Sequence, residues 1–273
     1  MTVLVGVDGS PASLHALDLA VREAALRDTT VRVVYADARA KHPAWVDTPR
    51  PGPAHGAQVA LRAAREHGPA ELTTDVVAGE PGTALVRESA GAELAVAGHR
   101  GRGGFPELLL GSVAVKLAAH AGCPVLITRG AARFDGDVGV GVDGSPVTDA
   151  ALGFAFAEAT LRGVGVVAVH ASTGPYLSGP TDVLIFDPDA ERADQHRLLT
   201  AALAPWRERH SGVPVREEVR WDRPSRALVD LSQRVALVAV GRRGRSGLPG
   251  RRLGSVTHAL VHHAGCPVAI VPT

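Results

Sequence analysis

Two short stretches of this 273-residue chain carry the residue types needed to hold an anion. The first reads Gly98-His99-Arg100-Gly101, then nine residues, then Gly111-Ser112. The second reads Gly241-Arg242-Arg243-Gly244, nine residues, Gly254-Ser255. A β-branched and alanine run precedes each copy (Leu94 to Ala97; Val235 to Val240), and a helix-compatible run follows (Val113 to Ala121; Val256 to Ala264). A strand that ends in closely spaced glycines and then delivers Gly-Ser to a helix start gathers backbone N–H groups around one small space, the geometry of a phosphate site. Ser112 and Ser255 either hydrogen-bond a phosphate oxygen or cap their own helices, and capping alone contributes about 1 kcal/mol.

Two further segments belong with these glycines. Gly6-Val7-Asp8-Gly9-Ser10 and Gly141-Val142-Asp143-Gly144-Ser145 close the first strand of each half. In an open parallel sheet a ligand sits outside the carboxyl ends of the strands, where the strand order reverses. If the first and fourth strands are neighbours, Asp8 and the glycines from Gly98 to Gly104 face one crevice. A carboxylate near a ribose or base, with N–H groups near phosphates, describes a nucleotide pocket.

The positioning elements follow from the apolar pattern. Val3 to Val7 is a continuous apolar strand of the kind buried on both faces. Ser10 then caps a helix, with Pro11 in its first turn, that runs to about Arg27. Strands over Val31 to Ala36, Leu72 to Ala78, Leu94 to Ala97 and Val125 to Thr128 alternate with helices over Ala57 to His67, Gly82 to Ala90 and from Ser112. The stretch Lys41 to Gly56 reads as loop. After a linker from Arg129 to Asp137 the same programme restarts at Val138. Its strands are Val138 to Val142, Val164 to His170, Val215 to Trp221, Val235 to Val240 and Val268 to Val271; its helices run to Arg162, over Asp189 to Arg209, over Pro224 to Ser232 and after the second glycine copy. Such alternation implies right-handed βαβ crossovers. The fold class is α/β: two tandem Rossmann-like domains, residues 1–130 and 136–273, each an open five-stranded mostly parallel sheet with helices on both faces.

The repeat can be counted. Val3 to Ala12 matches Val138 to Val147 at eight of ten positions, an offset of 135 residues. Gly98 to Val125 matches Gly241 to Val268 at 17 of 28 positions, an offset of 143, and the extra eight residues fall in the longer loop from Ala171 to Pro188.

Composition narrows the functions. A formal net charge of +1 gives no reason to expect nucleic acid as partner. No apolar stretch approaches the roughly 18 residues that span a bilayer, and the start lacks a signal-peptide pattern, so the expected location is the cytoplasm. Cys123 and Cys266 hold equivalent places before a proline and read as buried thiols, too few for a disulfide framework or a metal site. His262-His263 lacks a third ligand, and His120 and His263 sit where a helix dipole favours a cation. Gly139 to Gly144 fits a dinucleotide fingerprint only with its first glycines inside the strand, and no Gly-Lys-Ser/Thr of a P-loop occurs.

The glycine spacing, the Val-Gly-Val-Asp-Gly-Ser motif and the Cys-Pro-Val ending resemble the universal stress protein family, ATP-binding branch, in its tandem two-domain form. The resemblance covers nearly the whole chain. It implies ATP, with or without Mg2+, near Gly6 and Asp8, with adenine at Ala36 and the ribose and phosphates over Gly98, Gly101, Arg102, Gly104, Gly111, Ser112 and Val113. The matching positions are Gly141, Asp143, Ala171, Gly241, Gly244, Arg245, Gly247, Gly254, Ser255 and Val256. It also implies that the halves, or two chains in a homodimer, pair through the fifth strands. The spacers differ: Gly250-Arg251-Arg252 stands where the first half has Glu107-Leu108-Leu109, so Arg251 adds a phosphate partner and the second site is expected to hold nucleotide more tightly. A nucleotide-dependent regulatory protein in the stress response is the leading expectation. A slow ATP hydrolase and an interaction module that binds no nucleotide are the alternatives. Asp222 replaces Gly79 before a proline, a change whose consequence the sequence leaves open.

Overall fold

Residues 2–38, 72–101, 110–130, 135–173, 187–244 and 253–272 are described by a computed structural model. The helix expected over Ala57 to His67 and most of both long loops lie outside them. The chain divides into two units, Met1–Arg129 and Gly130–Val271, the last two residues apart.

In the first unit, β1 (Thr2–Gly6), β2 (Thr30–Asp37), β3 (Leu72–Ala78), β4 (Leu94–Gly98) and β5 (Val125–Thr128) form a parallel sheet in the order β3-β2-β1-β4-β5. In the second, β6 (Val138–Gly141), β7 (Val166–Ser172), β8 (Val215–Trp221), β9 (Leu237–Gly241) and β10 (Val268–Val271) repeat it as β8-β7-β6-β9-β10. β1, β5, β6 and β10 read as apolar runs because both their faces are covered: Val3, Val5, Val125, Ile127, Val138 and Val268 have no exposed surface. The strands β3 and β8, at the other end of each order, are polar instead. β8 carries Arg216, Glu217, Glu218 and Arg220, and Glu218 accepts from both Arg220 and Arg234. Charge on an edge strand discourages another chain from adding to it.

Each unit starts with a strand, a Gly-Ser-Pro turn and a long helix, Pro11–Leu26 or Pro146–Arg162, with its proline in the first turn. Ser10 caps the first of these, its hydroxyl accepting from the Ser13 N–H at 3.2 Å. The first helix packs on β1 and β4, and the helices Pro81–Glu88 and Ser112–His120 pack on each other. Both long helices bury a matched ion pair one turn apart, Glu23 with Arg27 and Glu158 with Arg162. These pairs repeat at the 135-residue offset of the duplication.

Element ends differ from the sequence reading where a local bond intervenes. The helix expected to reach Ala90 stops at Glu88, followed by a 3₁₀ turn at Ser89–Gly91, because the Ser89 hydroxyl donates to the Val86 carbonyl at 2.6 Å and accepts the Gly122 N–H at 3.0 Å. β7 begins at Val166 rather than Val164, because Gly163 ends the preceding helix in the left-handed region (φ 66°) and the Val164 N–H still bonds to Ala159.

Candidate functional site

The order reverses between β1 and β4 in one unit and between β6 and β9 in the other, and the carboxyl ends of these strands meet the conditions set by the sequence. After β6 the chain turns through Gly144 (φ 73°), and Asp143 Oδ1 accepts the Ser145 N–H at 2.9 Å together with the Ser145 and Thr148 hydroxyls. The other oxygen lies against the glycine segment of β9: a Cβ on Gly244 would stand 2.8 Å from Asp143 Oδ2. The first unit repeats this, with Gly9 at φ 76°, Ser10 N–H donating to Asp8 Oδ1 at 2.9 Å, and a Cβ on Gly101 only 2.6 Å from Asp8 Oδ2. Strand adjacency therefore brings each aspartate to its glycine segment. Gly98 is fixed by a different approach, since a Cβ there would lie 2.6 Å from the Ala12 carbonyl oxygen.

Both nine-residue spacers leave and return at one point. The Gly111 N–H donates to the His99 carbonyl at 2.7 Å, and the Gly254 N–H donates to the Arg242 carbonyl at 3.0 Å. The helices Ser112–His120 and Ser255–His263 then begin with Gly111 and Gly254 as N-caps and no side-chain cap. Ser112 and Ser255 are thus the first helical residues, and of the two roles open to them capping is removed. Their exposed hydroxyls stand beside first-turn N–H groups that have no capping side chain. In the second unit Thr257, where the first has Ala114, also ties the helix start to β9 by donating to the Gly241 carbonyl at 2.9 Å.

A cavity of about 620 Å³ opens at this end of the second unit. Gly141, Asp143, Ala171, Gly241, Gly244, Gly254, Ser255 and Val256 all line it. Arg245, Gly247 and Arg251 lie outside the described residues, as do Arg102 and Gly104 in the first half. There, Gly98, Gly101, Gly111, Ser112 and Val113 gather at the end of β4 beside Asp8, while Ala36 sits on β2 two residues past the partner of Gly6.

The cavity has lining residues that sequence reasoning missed. His170, only 5% exposed, sits with Nδ1 2.7 Å from the Val142 carbonyl oxygen and Nε2 against Gln195 Oε1. The Gln195 amide in turn donates to Glu191 Oε1 at 2.6 Å. Arg223 and Ser225 come from the start of the helix Pro224–Ser232. The one signal for Arg223 was its place beside Asp222, and the structure explains that departure. Gly79 adopts φ 129°, whereas Asp222 has no positive φ and instead accepts the Arg223 N–H at 2.7 Å and pairs with Arg226 at 3.6 Å.

Charge at the equivalent helix starts is opposite. In the first unit Glu80 caps the helix Pro81–Glu88, accepting the N–H groups of Gly82 and Thr83 and the Lys116 ammonium at 2.7 Å. Burial alone would raise its pKa, but hydrogen bonds from Lys116, the Thr83 hydroxyl and the two N–H groups lower it from 4.5 to about 2. A carboxylate with a depressed folded-state pKa gives stability that is present above its unfolded value and lost as pH falls through the folded one. Stability of the first unit is therefore expected to fall between pH 4.5 and about 2, and Glu80→Gln to flatten that fall. Denaturant titrations of both proteins at about pH 6 and about pH 3 check this, and equal acid losses would contradict it. The second unit has Arg223 at this place, with no side-chain cap, and among the described residues its guanidinium has no carboxylate partner. At the first glycine copy, burial and then the charges of Arg129 and Arg100 hold His99 below the usual imidazole value.

Among the described residues no three His, Cys, Asp or Glu side chains gather to hold a metal ion, and no helix is long and apolar enough to cross a membrane. Cys123 and Cys266 are buried and not disulfide-bonded.

The profile of the Universal stress protein family matches residues 1–129 and again 136–272. Over 285 residues the chain is 37% identical to a universal stress protein of Mycobacterium tuberculosis, covering 98% of this chain and 96% of the relative. A second universal stress protein of that organism is 34% identical over 300 residues, covering 98% and 94%. The crystal structure of a universal stress protein from Archaeoglobus fulgidus superposes with a TM-score of 0.70 at 20% identity, over 99% of this chain and 98% of that one, which extends the likeness in fold.

Proposed function

Since the chain belongs to the universal stress protein family, we propose that it is a nucleotide-binding regulatory protein that takes ATP at the carboxyl end of β6 and β9. The cavity of about 620 Å³ carries this reading, because it joins a fixed carboxylate, a glycine turn and an uncapped helix start in one space. That set suits a nucleotide: first-turn N–H groups and the Ser255 hydroxyl for phosphate oxygens, Asp143 for a ribose hydroxyl, and the end of β7 for the base. Any Mg2+ would arrive on the phosphates.

The matched site of the first unit is weaker in this proposal. Arg251 stands in the second spacer where the first has Leu108, and Arg223 replaces Glu80 at the neighbouring helix start. A cation attracts a polyphosphate that a carboxylate repels. The test denatures the purified protein, identifies the released small molecules, and titrates ATP into the emptied chain by calorimetry. Ser255→Ala is expected to reduce occupancy more than Ser112→Ala; equal losses would remove the asymmetry, and absence of any adenine nucleotide under both conditions would remove the reading. Turnover with excess ATP and Mg2+ in the same preparation tells a regulatory binder from a hydrolase.

A further inference from the structure

The helix Ser255–His263 carries two imidazoles one turn apart, His258 and His262, on a face that the cavity does not use. We propose that these two side chains chelate an exchangeable divalent late transition metal ion, copper(II) in preference to nickel(II) or zinc(II). The site is independent of the nucleotide reading, since neither histidine lines the cavity.

Spacing and burial place the pair. Residues four apart on a helix are neighbours on one face, with Cβ atoms about 5–6 Å apart, and both side chains lean toward the helix start. This helix buries Thr257, Leu260 and Val261, which leaves His258 exposed and His262 half-buried. Their ring centres are 4.5 Å apart. His263 does not share the pair, because five positions from His258 carry it round the helix; its ring centre is 6.0 Å from that of His262.

The ring spacing suits one ion. With a metal–nitrogen bond of about 2.0–2.1 Å, an imidazole centre stands roughly 3.2 Å from the metal. Two rings whose centres are 4.5 Å apart then subtend about 90° at a shared ion. A right angle is the cis arrangement of square-planar or tetragonal coordination, whereas tetrahedral ligands stand wider apart. Nitrogen ligands in the first arrangement suit copper(II) or nickel(II), and copper(II) heads the affinity order of the divalent ions. Each imidazole has two ring nitrogens, so a bond made by one leaves the other for the ion, and such a bond fixes the orientation of the ring. His262 also stands in the last turn of the helix, where the helix dipole favours a cation.

The duplication isolates the pair. At the offset of 143 residues the first unit has Val115 and Ala119 at these positions, and the helix Ser112–His120 forms there at the same length. Packing of the helix therefore does not call for the imidazoles. No group of three His, Cys, Asp or Glu side chains gathers among the described residues, so the pair supplies two ligands and water completes the coordination. An ion held in this way exchanges with solvent and is not required for folding, unlike the ion of a closed four-ligand site.

Calorimetric titration of copper(II), nickel(II) and zinc(II) into the full chain, in a non-coordinating buffer at about pH 7.5, tests this. Thermal unfolding of each metal-free variant checks its folding. The parent is expected to bind one equivalent of copper(II) that His258→Ala and His262→Ala each bind about tenfold more weakly or worse; the double variant should lose little more, because one imidazole alone cannot chelate. His263→Ala should bind as the parent does. Where an alanine variant melts below the parent, His258→Gln and His262→Gln, which keep a polar side chain of similar length, serve the same comparison. Equal copper(II) binding by the parent and both single variants overturns the site. Tighter binding of zinc(II) than of copper(II) overturns the identity of the ion.

Discussion

Gly244→Ala is expected to weaken ATP binding at the second unit by at least about tenfold, equivalent to 1.4 kcal/mol, with a smaller effect on folding. The added Cβ would stand 2.8 Å from Asp143 Oδ2, closer than real Cβ contacts allow. The carboxylate cannot turn aside cheaply, because Oδ1 is already held by the Ser145 N–H and by the Ser145 and Thr148 hydroxyls. Either the aspartate leaves its proposed ribose position or the chain after β9 moves away from the proposed phosphate position, and each breaks the alignment that the proposed binding needs. Gly212, with no atom within 4 Å of its added Cβ and no positive φ, supplies the control. Calorimetric titration of both variants decides the matter: Gly212→Ala should bind as the parent does, and Gly244→Ala retaining affinity within about twofold would show that the aspartate and the glycine turn do not act together. Gly101→Ala should have the same effect at the first unit, where the approach to Asp8 is 2.6 Å.

That prediction uses the part of the molecule most legible in the sequence. The buried strands could be read directly, because burial on both faces leaves uninterrupted apolar runs such as Val3 to Val5 and Val125 to Ile127. The glycines could be read because close approach or a positive φ requires them and the duplication repeats Gly98, Gly101, Gly104 and Gly111 as Gly241, Gly244, Gly247 and Gly254. Element ends were less legible. The stop at Glu88 depends on a serine hydroxyl shared between two backbone groups, and the start of β7 on one left-handed glycine. Least legible were His170, Gln195 and Arg223. Their roles depend on how the helices Pro188–Arg209 and Pro224–Ser232 dock at the sheet end, and Pro188–Arg209 is largely polar, burying only Leu199 and Leu203. A polar residue on such a helix has no periodic mark that separates a cavity wall from solvated surface. The serine question also needed coordinates, since the cap and the first helical residue differ by a single position.

The buried ion pairs are where the largest stability effects are expected. Glu158 and Arg162 have side chains 1% and 5% exposed and meet at 3.1 Å, Nε to Oε2, and Glu23 and Arg27 repeat the pair in the first unit. Charges held in so little water depend on their nearest counter-charge, and removing one member of the pair takes that from the other, at a cost of about 3–5 kcal/mol. Glu158→Ala and Arg162→Ala should each cost about that much to the second unit, and at roughly 2–4 °C per kcal/mol in a domain of this size the melting temperature should fall by about 10 °C. Replacing both by leucine should cost far less than the sum of the single losses, since both buried charges are then removed together and the helix face stays filled. Denaturant titrations through the four corners of that cycle provide the measurement. A single-variant loss below about 1 kcal/mol would mean that water reaches the pair and that it behaves as a surface bridge. Neither partner stands among the residues lining the cavity, so the nucleotide titration of Glu158→Ala below its melting point should match the parent. The helix Pro146–Arg162 begins just after the aspartate turn and carries this pair in its last two turns, which separates the ion pair from the residues that line the cavity.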